Sequence, residues 1–212
     1  MPSKDRITLS YGDSILRESD LTILNSKAWL NDRIIGFAFE YFQNDLFKST
    51  NKIIFISPEV TQLVKLSDES EVNVFLEPLD LCNKEVILLA VNDQEDLTHE
   101  GGTHWSLLMY YQKSRQFFHI DSSPGFNVAA AKKLSKNLSQ IIKCTNLNVE
   151  ELPCIHQTNA YDCGIHVICN ARVIGSQFLD LKEFDVSKIN ISEVENMRNE
   201  LLNIISTLQN KL

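Results

Sequence analysis

The residues that can do chemistry in this chain are a cysteine, a histidine, an aspartate and a glutamine, in a telling order. Cys163 closes the polar loop Gln157-Thr158-Asn159-Ala160-Tyr161-Asp162, and the largely apolar run Ile165-His166-Val167-Ile168-Cys169-Asn170 follows it. Asp162 is a favoured N-cap type and Gly175 a favoured stop, so the spacing predicts a buried helix with Cys163 in its first turn, ending at Gly175. Unpaired N–H groups and the positive end of the helix dipole favour a thiolate at such a place. A thiolate nucleophile also needs a base, a group to orient that base, and donors for an oxyanion.

The rest of the chain offers all three. His104-Trp105-Ser106-Leu107-Leu108-Met109-Tyr110 and Gln116-Phe117-Phe118-His119-Ile120 read as two strands joined in a hairpin by Gln112-Lys113-Ser114-Arg115. His104 opens the first strand and Asp121 follows the second, which brings them to one end of a sheet with strands about 4.8 Å apart. That placement allows a His–carboxylate hydrogen bond, the second half of a nucleophile–base–orienter triad. The amide of Gln157, together with the backbone N–H of Cys163, can form an oxyanion hole.

Plainer readings compete. A cysteine is often a small buried hydrophobe, and an aspartate at a strand end is often a turn former. His119 reads as a packing or solvent-facing residue, and His166, one turn beyond Cys163, as a core or supporting one. Cys154, His156, Cys163, His166 and Cys169 crowd one region as zinc ligands would. No C-x-x-C knuckle accompanies them, and helical geometry turns Cys169 away from the face of Cys163. The thiol reading needs no metal and no cofactor.

Positioning falls to the elements around these residues. Residues 7–28 mix short apolar pairs with turn residues and predict little regular structure. Asn31 caps a helix whose inward positions are Ile34, Phe37, Ala38, Tyr41 and Phe42. Ile53-Ile54-Phe55-Ile56 is a short strand, and Ser57-Pro58 starts a helix that turns Val60, Leu63 and Val64 inward. The continuous apolar run from Glu85 to Val91 fits a central strand covered on both faces. A polar, acidic loop spans Asn92 to Gly102. A helix runs from about Asn127 to Lys143, and Leu147, Val149 and Leu152 mark a short strand. Ser192-Glu193-Val194-Glu195 is a capping box opening the last helix. The pattern predicts one α+β domain over residues 1–212, a central mixed sheet flanked by helices.

Composition narrows the partners. The 212 residues are 43% hydrophobic and 23% charged, as in an ordinary soluble enzyme. A net charge of −8 with no Lys/Arg cluster argues against nucleic acid. No run approaches a membrane span, and Met1 to Arg6 lack the apolar core of a signal peptide. Five cysteines, an odd number, fit free thiols in a reducing compartment, cytoplasm or nucleus.

His104-Trp105, Asp121 and Gln157…Asp162-Cys163-Gly164, in that order, resemble the sentrin/SUMO-specific (Ulp-type) cysteine proteases; papain-like proteases place Cys before His. Trp29 to Phe42, Phe55 to Gln62, Phe75 to Leu81 and Gly101 to Leu108 narrow the resemblance to the deneddylase branch. The likeness is dense from about Tyr11 to Asn170 and weakens at Ser123 to Asn127, across Lys143 to Pro153, and beyond Arg172. It implies an Ulp-type fold acting as a monomer, without cofactor, nucleic acid or membrane. It implies removal of a neddylation-type modifier from lysine side chains and processing of its precursor after Gly-Gly. Cys163 is then the nucleophile, His104 the proton carrier, Asp121 the orienter and Gln157 the oxyanion donor. Trp29 and Trp105 match tryptophans that flank the diglycine channel, and Asn92, in the loop beside the site, is a further substrate-contact candidate. The triad by itself fits a SUMO protease equally, and its order also occurs in bacterial effector acetyltransferases.

Overall fold

Five strands form the central mixed sheet of the computed structural model, which describes residues 5–96, 101–180 and 184–211. They are β3 (Ile53–Ile56), β4 (Val86–Asn92), β5 (Trp105–Tyr111), β6 (Gln116–Ile120) and β7 (Val149–Glu151), neighbours in chain order. The outer pairs β3–β4 and β6–β7 are parallel, and β4–β5 and β5–β6 antiparallel. Every residue of β4 is buried, which is why its sequence shows an unbroken apolar run and not alternation.

Alternate side chains of β4 and β5 feed two cores. Leu88, Ala90, Leu107 and Met109 pack on one face with Ile34, Phe37 and Ile168. These come from helices α2 (Asp32–Tyr41) and α6 (Cys163–Asp180), with α7 (Ile191–Gln209) behind them. Ile87, Leu89, Val91 and Leu108 pack on the other with Val64, Leu134 and Leu138. That face is covered by α3 (Pro58–Leu66), α4 (Glu69–Leu76) and α5 (Val128–Ile141). The fold is α+β, as the pattern predicted.

The starts of α2 and α3 follow their sequence signals. Asn31 Oδ1 accepts from the Ile34 N–H at 3.1 Å, and Ser57 caps α3 with Pro58 in its first turn. On α3, Val64 points inward as expected, but Thr61 and Lys65 are more deeply buried than Val60 or Leu63.

Three expectations need correction. Residues 7–28 are not irregular: β1 (Ile7–Tyr11) and β2 (Ser14–Arg17) make a hairpin, and α1 (Glu18–Leu24) follows. Gly175 does not end the Cys163 helix, which runs on to Asp180; a side chain at Gly175 would meet the Phe47 ring at 2.5 Å. The last helix starts at Ile191, capped by Asn190 and not by Ser192, because Asn190 accepts from the Ser192 N–H at 3.0 Å. Residues 1–4, 97–100 of the acidic loop and 181–183 after α6 lie outside the described residues. Among those described, no helix is long and apolar enough to cross a membrane.

Candidate active site

The antiparallel pairing of β5 and β6 sets the central distance. Leu107 lies opposite Ile120, so His104, just before β5, and Asp121, just after β6, meet at the same sheet end. His104 Nε2 and Asp121 Oδ1 are 2.6 Å apart, and both residues are buried. The carboxylate is held in turn by the N–H of Ser123 on Oδ1 at 2.9 Å and the N–H of Asn127 on Oδ2 at 3.4 Å.

From the α2/α6 face, α6 starts at Cys163, and Asp162 accepts its first helical hydrogen bond from the His166 N–H at 3.0 Å. The Cys163 side chain lies near enough to the His104 imidazole to act on its proton alongside Asp121. Nε2 is occupied by Asp121, so Nδ1 is the nitrogen left for sulfur. Burial depresses the His104 pKa, but the hydrogen bonds and charges of Asp121 and Cys163 outweigh it and push it up to about 9. Such a ring is an imidazolium at neutral pH, the form that pairs with a thiolate and can deliver a proton.

Gln157 is fixed at both ends of its amide. Ser122 Oγ donates to Oε1 at 2.8 Å, and Nε2 donates to the Asn159 carbonyl at 2.7 Å, leaving one Nε2 hydrogen for another acceptor. The Gln157 N–H donates to the Ser122 carbonyl at 3.0 Å, so the turn carrying Asp121 also anchors the Gln157 loop.

The two tryptophans are tied to the same loop system. The Trp29 indole N–H donates to the Ala160 carbonyl, and the Trp105 indole N–H donates to the Leu30 carbonyl at 2.9 Å. Trp29 remains 50% exposed, which does not suit simple core packing. Trp105 is half-buried on the α2/α6 core. Leu30 in turn lies so close to Gly164 that an added Cβ would meet Leu30 Cβ at 2.9 Å, so only glycine lets α6 begin there.

Asn92 ends β4 opposite Trp105, with its side chain turned into the following loop. Its Oδ1 accepts from the Gln94 N–H at 2.8 Å and covers Gly102, where φ is +92°.

Several supports were not visible in the sequence. Asp93 accepts hydrogen bonds from the Thr103 N–H at 2.6 Å and the His104 N–H at 3.1 Å, fixing the backbone at His104. Lys65, fully buried, donates to the Asn92 and Gln94 carbonyls; burial pushes its ammonium down to about 8. Asn127 donates through Nδ2 to the carbonyls of Val91 and His104, both at 3.2 Å, and stitches two strand ends together. Short polar residues in loops are the general signal for such roles, but only the fold names their partners.

Other candidates separate from the site. His119 neither faces solvent nor merely packs: Nδ1 is 2.8 Å from Glu151 and Nε2 2.9 Å from Ser106 Oγ. His166 is buried and pushed toward its neutral form by that burial. All five cysteines are free. Burial, with Asp121 and Glu151 nearby, pushes the Cys154 thiol up to about 11, and burial pushes Cys169 up to about 12. Among the described residues no three His, Cys, Asp or Glu side chains gather as a metal site.

The profile of the Ulp1 protease family, C-terminal catalytic domain, matches residues 28–211. The chain belongs to the Ulp1 protease family. As an Ulp1-family member it is a cysteine-type peptidase. It is 43% identical over 212 residues to human Sentrin-specific protease 8, covering 98% of this chain and 100% of that protein. It is 35% identical over 220 residues to NEDD8-specific protease 1 of Arabidopsis thaliana, covering 99% and 96%. Among solved structures, the C-terminal Ulp1 protease domain in complex with Smt3, the yeast ortholog of SUMO, shares its fold. That match has a TM-score of 0.79 over 97% of this chain and 89% of the other, at 19% identity.

Proposed function

We propose that this Ulp1-family chain is a deneddylase, an isopeptidase that releases a NEDD8-type modifier from lysine side chains and trims its precursor after Gly-Gly. One observation carries the reading: a single buried imidazole, His104, sits 2.6 Å from Asp121 Oδ1 and close enough to Cys163 for the sulfur to help raise its pKa. The names of near-full-length relatives, Sentrin-specific protease 8 and NEDD8-specific protease 1, support the choice of modifier.

The Cys163 thiolate attacks the carbonyl carbon of the terminal glycine; a C–S bond forms and the carbonyl π electrons move to oxygen. The free Nε2 hydrogen of Gln157 and the Cys163 N–H stabilise that oxyanion, which matters only as charge develops. Collapse breaks the C–N bond, and the lysine nitrogen takes its proton from His104 Nδ1. Water then attacks the thioester, His104 receives the water proton, and the C–S bond breaks to restore the thiolate. Asp121 keeps the ring oriented throughout. Trp29 and Trp105 wall the channel for the diglycine tail, and Asn92 shapes the loop beside it.

The enzyme acts as a monomer on a folded protein partner, without metal or cofactor, nucleic acid or membrane. Its unpaired cysteines, one of them the nucleophile, suit the reducing cytoplasm or nucleus.

The test is a panel of C-terminal reporter substrates made from NEDD8-, SUMO- and ubiquitin-type modifiers. The NEDD8-type reporter should be hydrolysed fastest, by a route that Cys163→Ala abolishes without loss of binding. Preferential hydrolysis of the SUMO-type reporter, or residual turnover in the Ala variant, would sink the reading.

A further inference from the structure

Phe126 sits where an apolar residue has no packing reason to be. It is 69% exposed, yet its ring lies 5.3 Å from the His104 ring at 48°. The turn that carries it is firmly anchored. Asp121 accepts the Ser123 N–H, the Phe126 N–H donates to the Ser123 carbonyl at 3.4 Å, and Asn127 is buried and bonded to Val91 and His104. Gly125, at φ +94°, makes the reversal that presents the ring. An exposed aromatic on a fixed turn beside a reactive group is a contact waiting for a ligand.

Its side of the site identifies that ligand. Trp105 packs with the α2/α6 core, whereas the turn of Phe126 leads into α5, which covers the opposite face. The turn of Phe126 therefore runs to the face opposite the one on which Trp105 packs, and its ring meets that of His104. Of the two halves of the substrate, the acyl tail lies in the tryptophan channel. The leaving nitrogen must come to His104 for its proton, so the chain attached to that nitrogen departs on the other side. For an isopeptide that chain begins with the four methylenes of a lysine, an apolar stem that suits an aromatic face.

We infer that Phe126 is a substrate-contacting, specificity-determining residue that receives the lysine stem of the leaving group. The inference rests on the deneddylase reading above and adds the determinant for lysine on the departing side.

Two substrates separate the roles: a NEDD8-type modifier joined to the ε-amine of a lysine in a peptide, and the same modifier as its C-terminal methylamide. Both break the same kind of amide bond, but only the first brings a stem. In wild type, kcat/KM should favour the lysine substrate. Phe126→Ala should lower that ratio about tenfold, the effect of returning roughly two methylenes to water. Phe126→Leu should keep most of the ratio. The pH profile of Cys163 alkylation by iodoacetamide should not change in either variant, since that reaction has no lysine.

Equal losses on both substrates, or a displaced alkylation profile, would make Phe126 a shield for His104 and overturn the inference. So would an unchanged ratio with full activity. Wild-type enzyme that cleaves neither substrate would instead remove the deneddylase reading, and this inference with it.

Discussion

His104 is bonded to Asp121 and lies beside Cys163, and its surroundings act on its proton in opposite directions. Burial favours the neutral ring, while the carboxylate and the sulfur favour the imidazolium and prevail, lifting the pKa to about 9. The proposed mechanism needs the protonated ring to give the lysine amine its proton, so kcat/KM should be retained at neutral pH and fall as pH rises through about 9. Asp121→Asn removes the larger support for the charge, so the alkaline limb should move to lower pH as well as lowering the rate. A steady-state pH profile of both enzymes decides this; a limb that stays put in the variant would detach Asp121 from the titration of His104. The meeting of His104 with Asp121 and the place of Cys163 at a helix start were legible because each residue stands at an element boundary marked by ordinary pattern signals. Phe126, Asn127 and Asp93 were not. Their significance lies in what faces them across loops, and no periodicity records that.

At the scale of elements, glycine shows how a local signal can mislead. Gly175 follows an apolar run as a helix stop would, yet α6 passes through it for another five residues. The reason is tertiary: Phe47, stacked on Phe55 with centroids 5.6 Å apart, lies where a side chain would be, with Cε2 at 2.5 Å and Cζ at 2.7 Å from an added Cβ. Alanine would gain about 1 kcal/mol in helix propensity but press on two packed rings, an overpacking cost of about 1–3 kcal/mol. The clash should win, so Gly175→Ala should lower Tm by a few degrees. Its kcat should be unaffected, because twelve helical residues place it about 18 Å from Cys163. A higher Tm would mean that Phe47 yields and that close approach is not why glycine stands there. The hairpin of β1 and β2 was missed for a related reason. Its strands are short, their register shifts between Ile7 and Leu9, and part of their hold comes from Glu40 of α2, which accepts from the Asp13 and Ser14 N–H groups at 2.8 and 2.9 Å. Long, strongly apolar elements announce themselves in the sequence, whereas a short hairpin held by a distant carboxylate does not.

On the scale of the molecule, the walls of the site come from chain segments far apart in sequence, and Arg198 of α7 joins three of them. Its Nε and Nη2 donate to Asp162 Oδ1 at 3.1 and 2.8 Å, directly before Cys163. Nη2 also donates to the Ala28 carbonyl at 2.7 Å, next to Trp29, and Nη1 donates to the Ile23 carbonyl at 3.0 Å in the last turn of α1. The guanidinium lies 5.9 Å from the Tyr161 ring centroid. Removing it would leave the Asp162 carboxylate with Asn159 as its partner and take a donor from the Ala28 carbonyl, while the Ile23 carbonyl keeps the Ser26 N–H and hydroxyl. The pair is partly solvated, with side-chain exposures of 14% and 21%, so about 2 kcal/mol is a fair cost for Arg198→Ala, short of that for a fully buried pair. For a chain of this size that corresponds to a Tm lower by about 4–8 °C. A lysine keeps the charge but not the planar fork, and one ammonium cannot span acceptors on three segments, so Arg198→Lys should recover less than half of the loss. Function should suffer selectively. Loosening Ala28 frees Trp29 and its hold on Ala160, so kcat/KM on a Gly-Gly-ending modifier should fall several-fold at temperatures where the variant stays folded. Alkylation of Cys163 by iodoacetamide, which uses no channel, should proceed at close to the wild-type rate. Thermal melts and the two rate measurements on Arg198→Ala and Arg198→Lys separate these effects. Full rescue by lysine would reduce the contact to a simple charge pair, and equal losses in modifier cleavage and alkylation would place the damage at Cys163 itself, not at the channel wall.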